Sequence, residues 1–258
     1  SHDRRRRDRG ACRVAASGEL CEDACRHRAA PGSSRAGPPG GIAVIPEPVA
    51  IIGGGAWGTA LAVNLGRRGV PVRLYMHEDD LVRRMLERRD NPVYLPGVVI
   101  PETVMPTHEI ATAVLGVSLV VFAVPTPFAR SLHGALAGHL AARVPVVVAT
   151  KGIEEDTLLL PTEVAASCLA PETPIAAISG PSFAEEVARG VPTAVVVAAT
   201  NGGLARAIQD RLAGETLRLY TNTDVVGVQI AAALKNVVAI AAGIADGQGF
   251  GHNTLAAL

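Results

Sequence analysis

The residues Ile52-Gly53-Gly54-Gly55-Ala56-Trp57-Gly58 indicate the fold class, because they join a predicted strand, Val49–Ile52, to a predicted helix, Ala56–Arg68. They match the G-x-G-x-x-G pattern of dinucleotide-binding turns between a strand and a helix. Gly53 allows the tight turn, Gly55 lets the backbone approach a pyrophosphate, and Gly58 allows close packing of helix on strand. All three are predicted cofactor-binding residues. The register of strand, turn and helix favours this interpretation over a merely glycine-rich turn.

Apolar, β-branched runs alternate with helical stretches over the following 150 or so residues. This alternation predicts an α/β fold in which helices cover both faces of a doubly wound, Rossmann-like parallel sheet. After Asp224 the alternation stops, and a long helix begins what looks like an all-α domain. The predicted strands are Val49–Ile52, Val70–Tyr75, Ser118–Val124, Val144–Ala149, Pro174–Ser179 and Thr193–Ala199. The predicted helices are Ala56–Arg68, Asp79–Arg89, Phe128–Ala142, Thr157–Leu169, Ser182–Arg189 and Gly203–Ala213.

The segment after the second strand bears on cofactor choice, because an acid about 20 residues after the glycine turn commonly binds the ribose 2′-hydroxyl of NAD. Tyr75 and Met76, which are not acidic, end this strand, and His77 and Glu78 follow. His77 could face a 2′-phosphate and Glu78 a hydroxyl. We therefore expect a site that accepts NADP, with NAD also open.

Composition narrows the class of protein. The chain has 258 residues, 48% of them hydrophobic and 19% charged, which excludes a disordered polymer. Its zero formal net charge and 3% aromatic content argue against a nucleic-acid-binding protein. We expect no membrane span, since Gln229, Lys235 and Asn236 interrupt the longest apolar stretch, Val225 to Ala245.

Residues 1–45 differ from the rest of the chain. They contain nine arginines and five acids, so they carry +4 while the remainder carries −4. A basic nucleic-acid arm and a targeting peptide are alternatives, but disordered or wrongly translated sequence fits this composition better. The spacing of Cys12, Cys21 and Cys25 does not match a zinc motif, and we predict no metal site. The predicted domains are therefore 1–45, 46–222 and 223–258.

Only two of the 24 basic residues are lysines, Lys151 and Lys235. Lysine and arginine are not interchangeable where an amine must lose a proton, so both positions are candidate functional sites. Lys151 follows a predicted strand, where ligands bind in such sheets. Lys235 lies in an apolar helix, and burial there would lower its pKa and suit it to proton transfer. A third loop, around Ser182, predicts a helix N-cap and free backbone donors for an anion.

At this point the residues resemble a known family, the NAD(P)-dependent glycerol-3-phosphate dehydrogenases of the bacterial type. The resemblance covers about residues 48–258. The matching stretches are Ile52 to Ala62, Asn91 with Tyr94-Leu95-Pro96-Gly97, Ala149-Thr150-Lys151-Gly152, Ser179-Gly180-Pro181-Ser182-Phe183-Ala184, Gly227-Val228-Gln229, Leu234-Lys235-Asn236-Val237 and Gly247 to Gly251.

The resemblance implies the reduction of dihydroxyacetone phosphate to sn-glycerol 3-phosphate by NADH or NADPH, which supplies glycerophospholipid synthesis in the cytoplasm. It implies that Lys235 is the general acid/base and that Lys151 is a catalytic residue that contacts both cofactor and substrate. A homodimer is a further predicted assembly of this chain. The remaining implied substrate contacts are Gly180 and Ser182, and the implied cofactor contacts are Ala56, Trp57, His77 and Ala184.

The sequence departs from the family at two points. Position 56 is alanine where the family often has serine, and the helical domain that the family carries after Lys235 is mostly missing. We therefore expect a fragment with an uncovered apolar helix face. Two alternatives stay open. One is a dinucleotide-binding module without catalysis, and the other is a related reductase of β-hydroxyacids or ketopantoate.

Overall fold

The computed structural model describes residues 47–258, so the predictions made for residues 1–45 lie outside the described residues. The described residues form strands β1 Val49–Ile52, β2 Val72–Tyr75, β3 Asp90–Asn91, β4 Leu95–Val99, β5 Val104–Thr107, β6 Leu119–Phe122, β7 Val146–Val148, β8 Ile175–Ser179, β9 Thr193–Ala198 and β10 Leu217–Asn222. The helices are α1 Ala56–Arg67, α2 Asp79–Arg88, α3 Ile110–Val114, α4 Thr126–Ala137, α5 Pro161–Cys168, α6 Ala184–Arg189, α7 Gly202–Leu212, α8 Val225–Gly247 and α9 His252–Ala257.

Eight strands form one sheet in the order β10-β9-β8-β7-β6-β1-β2-β5, and β3 pairs with β4 in a separate two-stranded sheet. From β8 to β5 every pairing in the large sheet is parallel. The strand order reverses on either side of β1, which is the switch point where doubly wound sheets bind ligands. The predicted fold class is confirmed in this mostly parallel sheet.

The expectation of an all-parallel sheet is wrong at β9 and β10. Strand β9 runs antiparallel to β8, and β10 follows β9 in parallel. The cause is the short connection through α6, whose six residues rise only about 9 Å. The five-residue β8 is about 17 Å long, so this helix cannot return the chain to the start of β8. Strand β9 therefore begins where β8 ends and runs the opposite way.

Four strands were not predicted, and their sequences explain why. Strand β4 contains Pro96 and Gly97, and β5 contains Pro106, residues that argue against a strand. Strand β5 tolerates its proline because it lies at the edge of the sheet, where one side needs no ladder hydrogen bonds. Strand β10 occupies the other edge, with only Leu217 and Leu219 buried.

The core lies on both faces of the sheet. All four residues of β1 are fully buried, and they alternate between the two faces. Val49 and Ile51 pack into the larger hydrophobic cluster, with α1 and α2. Ala50 and Ile52 pack into the smaller one, with α3 and α4. Because both faces of the parallel strands are buried, their sequences are continuous runs of apolar residues.

Helix α8 is anchored to the sheet domain by hydrogen bonds in its first turns. Asp224 caps the helix by accepting a hydrogen bond from the Gly227 amide at 2.8 Å. The buried Gln229 amide group accepts from the Thr162 N–H at 2.9 Å and donates to the Thr162 hydroxyl at 2.9 Å. Beyond this anchor many of the apolar side chains of α8 are exposed, although Ala245 is buried. Val237 is 62% exposed and Ile240 is 65% exposed.

By length and composition alone, α8 is one helix among the described residues that could cross a membrane, with a mean hydropathy of 1.9. Such a helix is weak evidence for a span, since core helices can pass the same test. The anchor at Gln229 shows that at least its first turns pack against protein. The expected absence of a membrane span stays a prediction.

Candidate functional site

A cleft of about 820 Å³ opens at the carboxyl ends of β1, β2, β6 and β7. This volume lies within the range of about 300–1,000 Å³ that is typical of cofactor and small-molecule sites. The cleft coincides with the switch point of the sheet, as the fold class predicts. Seven of the predicted site residues line it, namely Gly53, Gly55, Ala56, Trp57, His77, Lys151 and Ser182.

The glycine turn has the geometry that its sequence predicts. Gly53 adopts φ +113°, and a Cβ there would lie 2.3 Å from the Ala123 carbonyl oxygen. A Cβ on Gly58 would lie 1.9 Å from the Gly53 carbonyl oxygen, so only glycine lets α1 approach the turn this closely. Among the described residues, no heavy atom lies within 4 Å of a Cβ placed on Gly55. The backbone is therefore tightly packed at Gly53 and Gly58, whereas the backbone of Gly55, just before α1, is accessible to a ligand.

Buried polar side chains hold the turn in place. Thr59 donates its hydroxyl to the Gly54 carbonyl at 3.0 Å. The fully buried Asn91 donates its side-chain amide to the same carbonyl at 3.1 Å and to the Thr59 hydroxyl at 2.9 Å. Its oxygen accepts the Tyr94 backbone N–H at 3.1 Å. Asn91 thus links the glycine turn to the loop that carries Tyr94.

His77, Glu78 and Tyr94 lie together at the β2 end of the cleft. The Tyr94 hydroxyl donates a hydrogen bond to Oε1 of Glu78 at 2.7 Å. This bond and the carboxylate charge raise the pKa of Tyr94. Burial, followed by the charge of Glu78, raises the pKa of Tyr75. This end of the cleft is therefore electronegative.

Lys151 lies at the opposite end, after β7, and short hydrogen bonds place its backbone. The Thr150 hydroxyl donates to the Val124 carbonyl at 2.8 Å. The Thr126 hydroxyl donates to the Lys151 carbonyl at 2.9 Å. These bonds tie the loop after β7 to the loop after β6, so Lys151 is held beside Pro125 at the mouth of the cleft.

A bidentate ion pair supports the same loop from behind. Arg130 on α4 contacts both oxygens of Glu154, through Nε at 2.9 Å and Nη2 at 2.6 Å. Arg130 also donates to the Ser167 hydroxyl at 3.0 Å. The hydrogen bond from Arg130 lowers the pKa of Glu154, and a second bond from Thr157 adds to the effect. Paired in this way, Glu154 fixes the loop three residues after Lys151.

The positive charge of Lys235 acts on Lys151. Partial loss of water around Lys151, followed by the positive charge of Lys235, lowers the pKa of Lys151, although its side chain still reaches solvent. The Lys235 ammonium lies 5.6 Å from the ring centroid of Phe183, within cation–π range. Within residues 47–258 neither lysine makes an ion pair. The structure therefore places two uncompensated cations near Ser182.

Four predicted site residues do not line the cleft: Gly58, Gly180, Ala184 and Lys235. Gly58 supports the turn from behind. The expected burial of Lys235 is wrong, because its side chain is exposed among the described residues even though the Phe183 ring lies near its ammonium group. Ser182 is not the N-cap of α6, since the helix begins at Ala184 after Phe183 and the Ser182 hydroxyl donates to the Gly180 carbonyl at 3.2 Å.

Sequence reasoning assigned no role to Asn91, Tyr94, Thr126 or Arg130. Asn91 and Tyr94 stand in a stretch that matches the resembled family, and that match was the available signal. Thr126 and Arg130 carry no motif, and only the packing of α4 on the loop after β7 brings them to Lys151. In the described part of the chain, no group of three or more His, Cys, Asp or Glu residues is arranged to hold a metal ion.

The fold and the cleft define a nucleotide-binding domain of the doubly wound class. Comparison with known families identifies it further. Residues 48–205 match the N-terminal model of NAD-dependent glycerol-3-phosphate dehydrogenase, and residues 224–258 match the C-terminal model. The chain belongs to the NAD-dependent glycerol-3-phosphate dehydrogenase family. This result confirms the predicted resemblance and leaves the ketopantoate-type alternative without support.

Individual relatives agree with the family models. The glycerol-3-phosphate dehydrogenase [NAD(P)+] of Koribacter versatilis is 46% identical over 213 residues, which cover 81% of this chain and 63% of the relative. That of a Chelativorans species is 45% identical, with 81% and 64% covered. The crystal structure of glycerol-3-phosphate dehydrogenase from Coxiella burnetii superposes with a TM-score of 0.75 at 38% identity, with 83% and 65% covered. The chain thus spans less than two thirds of the relatives that it matches.

Proposed function

We propose that the protein interconverts dihydroxyacetone phosphate and sn-glycerol 3-phosphate with NAD(H) or NADP(H). The observation that carries the proposal is the convergence of the glycine turn, Lys151 and Ser182 on one cleft in a chain of this family. The relatives' names support the reaction and the cofactor.

The cleft suits a dinucleotide. The open side of Gly55 and the start of α1 offer backbone N–H groups where a pyrophosphate would bind. Trp57 and Ala56 extend this surface, and His77 and Glu78 stand where the adenosine ribose would lie. A bound nicotinamide supplies or accepts the hydride.

Lys151, Ser182 and Lys235 are the proposed chemical groups on the protein. Two cations without carboxylate partners favour a phosphate-bearing anion over a neutral ketone. Lys235 is proposed to donate the proton that the carbonyl oxygen takes up, and to remove it in the reverse direction. Lys151 is proposed to place a positive charge beside that oxygen, and Gly180 and Ser182 to contact the substrate. Ala184 is proposed to contact the cofactor.

The test follows NADH or NADPH oxidation by absorbance while dihydroxyacetone phosphate is added to the 258-residue chain. We expect turnover that Lys235→Ala abolishes while nucleotide binding, measured by nicotinamide fluorescence, persists. The exposed Arg206, on α7, supplies the matched control Arg206→Ala, which should keep turnover. Turnover that survives Lys235→Ala contradicts the assignment of Lys235, and absence of any nucleotide binding contradicts the fold-based proposal itself.

A second candidate is a dinucleotide-binding module without catalysis. Its specific support is the exposure of Lys235 and of apolar side chains of α8 such as Val237 and Ile240 among the described residues. This candidate predicts fluorescence changes with NADH or NADPH but no oxidation in the presence of dihydroxyacetone phosphate. The same pair of measurements therefore separates the two candidates.

The proposed function also includes domain boundaries, partners, localisation and assembly. We propose a division into 46–222 and 223–258, no nucleic-acid partner, no membrane span and no metal cofactor. Cytoplasmic localisation, a role in glycerophospholipid synthesis and a homodimer follow from the proposed reaction and from the exposed apolar face of α8. Sedimentation of the full chain tests the homodimer.

A further inference from the structure

We propose that Arg130 is a positioning residue that holds the Glu154 carboxylate away from Lys151, and so keeps the Lys151 ammonium free to bind an anionic substrate. The inference rests on the proposed function, in which Lys151 faces a phosphate-bearing substrate. It adds a residue that does not line the cleft and acts only through the charge of its partner.

The sequence around Lys151 makes such a residue necessary. Three acids, Glu154, Glu155 and Asp156, follow Lys151 within five residues. The Cα atoms of Lys151 and Glu154 can be at most about 11 Å apart, a gap that their two long side chains can bridge. Glu155 and Asp156 are exposed, so water and salt screen their charges. The Glu154 side chain is only 13% exposed, which makes it the acid best able to neutralise Lys151.

The loop places Lys151 and Glu154 on different sides. Lys151 lines the cleft, whereas Glu154 does not and contacts Arg130 on α4 instead. Gly152, between them, adopts φ +124°, and a Cβ there would lie 2.8 Å from the Thr126 hydroxyl oxygen. Glycine therefore lets the loop pass close to the start of α4, where Arg130 can reach the carboxylate that follows.

Arg130 occupies both oxygens of the Glu154 carboxylate, at 2.9 Å through Nε and 2.6 Å through Nη2. The Thr157 hydroxyl donates to Oε2 as well. Nη1 of Arg130 donates to the Ser167 hydroxyl on α5 at 3.0 Å, which fixes the plane of the guanidinium group. The pairing raises the pKa of Arg130 and lowers the pKa of Glu154, so both groups stay ionised near neutral pH.

The charge at the cleft depends on this pair. Within residues 47–258 Lys151 makes no ion pair, although an acid lies three residues along its own loop. Without Arg130, the carboxylate of Glu154 would lose its countercharge while remaining poorly hydrated, and Lys151 is the cation of the same loop. An ammonium that is paired with a carboxylate must leave it before it can bind a phosphate.

The test uses two measurements on the full 258-residue chain. NMR of the reductively methylated protein follows the pKa of Lys151, whose signal is the one that Lys151→Arg removes. Absorbance of NADH or NADPH gives KM and kcat for dihydroxyacetone phosphate. In Arg130→Met the released carboxylate should raise the pKa of Lys151, and it should raise KM about fivefold with a smaller change in kcat.

The double variant Arg130→Met/Glu154→Gln decides between a charge effect and a structural one. It removes the carboxylate together with the arginine, so KM should return to within about twofold of the wild type, and the pKa of Lys151 should fall back with it. A purely structural role of the pair predicts no recovery, because the double variant lacks the ion pair too. Arg130→Lys keeps the charge but loses the bidentate contact, and should lie between Arg130→Met and the wild type.

The matched control is Arg189→Met, which removes an arginine from the exposed pair with Glu185 on α6. Helix α6 packs into the larger hydrophobic cluster, and α4, which carries Arg130, packs into the smaller one on the other face of the sheet. This variant should change neither KM nor the pKa of Lys151. Circular dichroism checks that every variant is folded.

The outcomes are distinct. An unchanged pKa of Lys151 in Arg130→Met overturns the inference even when KM rises, since the pair then only stabilises the loop. A KM in the double variant as high as in Arg130→Met overturns it as well, and both results leave the proposed function standing. A wild type that oxidises neither NADH nor NADPH contradicts the proposed function, and the titration of Lys151 in the three variants then decides the inference by itself.

Discussion

Strand β1 and helix α8 are both built from apolar residues, but the structure buries one and exposes much of the other. All four residues of β1 are fully buried between α1 on one face and α4 on the other. In α8, Gln229 and Ala245 are buried, while Ile240 and Ile244 are more than 60% exposed. An apolar sequence therefore specifies a tendency to be buried, and the elements packed around it decide whether burial occurs.

The largest loss of stability and of nucleotide binding is expected from a substitution in the glycine turn, which joins the buried strand β1 to α1. Gly58→Ala places a methyl group against the Gly53 carbonyl, so the turn or α1 must move. We expect a loss of about 1–3 kcal/mol in the free energy of unfolding and at least a hundredfold weaker nucleotide binding. Gly134→Ala on α4, where no heavy atom lies within 4 Å, should be neutral or stabilising. Urea denaturation and fluorescence titration measure both, and equal behaviour of the two variants would contradict the packing argument.

The sheet domain should also lose stability at acidic pH, because of the buried His133. This side chain is fully buried and stacks on Phe122 with centroids 3.6 Å apart, and neither ring nitrogen has a hydrogen-bond partner within residues 47–258. Burial lowers its pKa from 6.5 to about 4, so the folded state favours the neutral ring. This contribution is complete above pH 6.5 and is lost as the pH falls from 6.5 through 4, by about 2 kcal/mol at pH 5.

Replacement of His133 isolates that contribution. His133→Phe should show a smaller loss of unfolding free energy between pH 7 and pH 5 than the wild type, by about 2 kcal/mol. The exposed His139, just beyond the same helix, gives the control His139→Phe, which should keep the wild-type pH dependence. The explanation fails when both variants retain the full acid sensitivity.

An intermediate effect on the free energy of unfolding is expected where α8 packs against the sheet domain. Gln229→Leu removes the bonds to Thr162 and leaves a buried N–H without its partner, at a cost of about 1–3 kcal/mol. Hydrogen exchange should then speed up in α8 more than in β1. Gln248→Leu, at the exposed end of the helix, should change neither. Uniform acceleration across the whole body would show that Gln229 is a general core residue and not a local anchor.

A smaller effect tests the coupling of the two lysines. Removal of the positive charge in Lys235→Met should raise the pKa of Lys151 toward its ordinary value, because one of the two causes that lower it is gone. The wild-type chain has only two lysines, so NMR of the reductively methylated protein shows two side-chain signals to titrate. Arg218→Met, on the distant edge strand β10, should leave the titration of Lys151 unmoved.

The smallest effect on stability is expected on the exposed face of α8. Ile240→Glu should change the unfolding free energy by no more than about 0.5 kcal/mol, because this side chain has little burial to lose. The same charge at the buried Val121 should unfold the body. Ile240→Glu should also reduce self-association in sedimentation. A large loss of stability would show that α8 is covered in solution.

The sequence predicted the site unevenly. The glycine turn and Lys151 were predicted because each depends on local order, a loop that follows a strand in a parallel sheet. The antiparallel β9 was missed because it depends on how far a six-residue helix returns the chain. Tyr94 is sixteen residues from Glu78 in sequence, and only the β3–β4 hairpin brings their side chains together.

By itself the sequence determined the βα turn at Gly53–Gly58, the alternation that builds a doubly wound sheet, and the family. These follow from short-range constraints, in which a glycine or an apolar run can be read without its neighbours in space. Only the tertiary structure decided the orientation of Glu78 against Tyr94, the support of Lys151 by Arg130 and Glu154, and the exposure of Lys235. Each of these depends on contacts between distant segments, which exist only once the sheet has assembled.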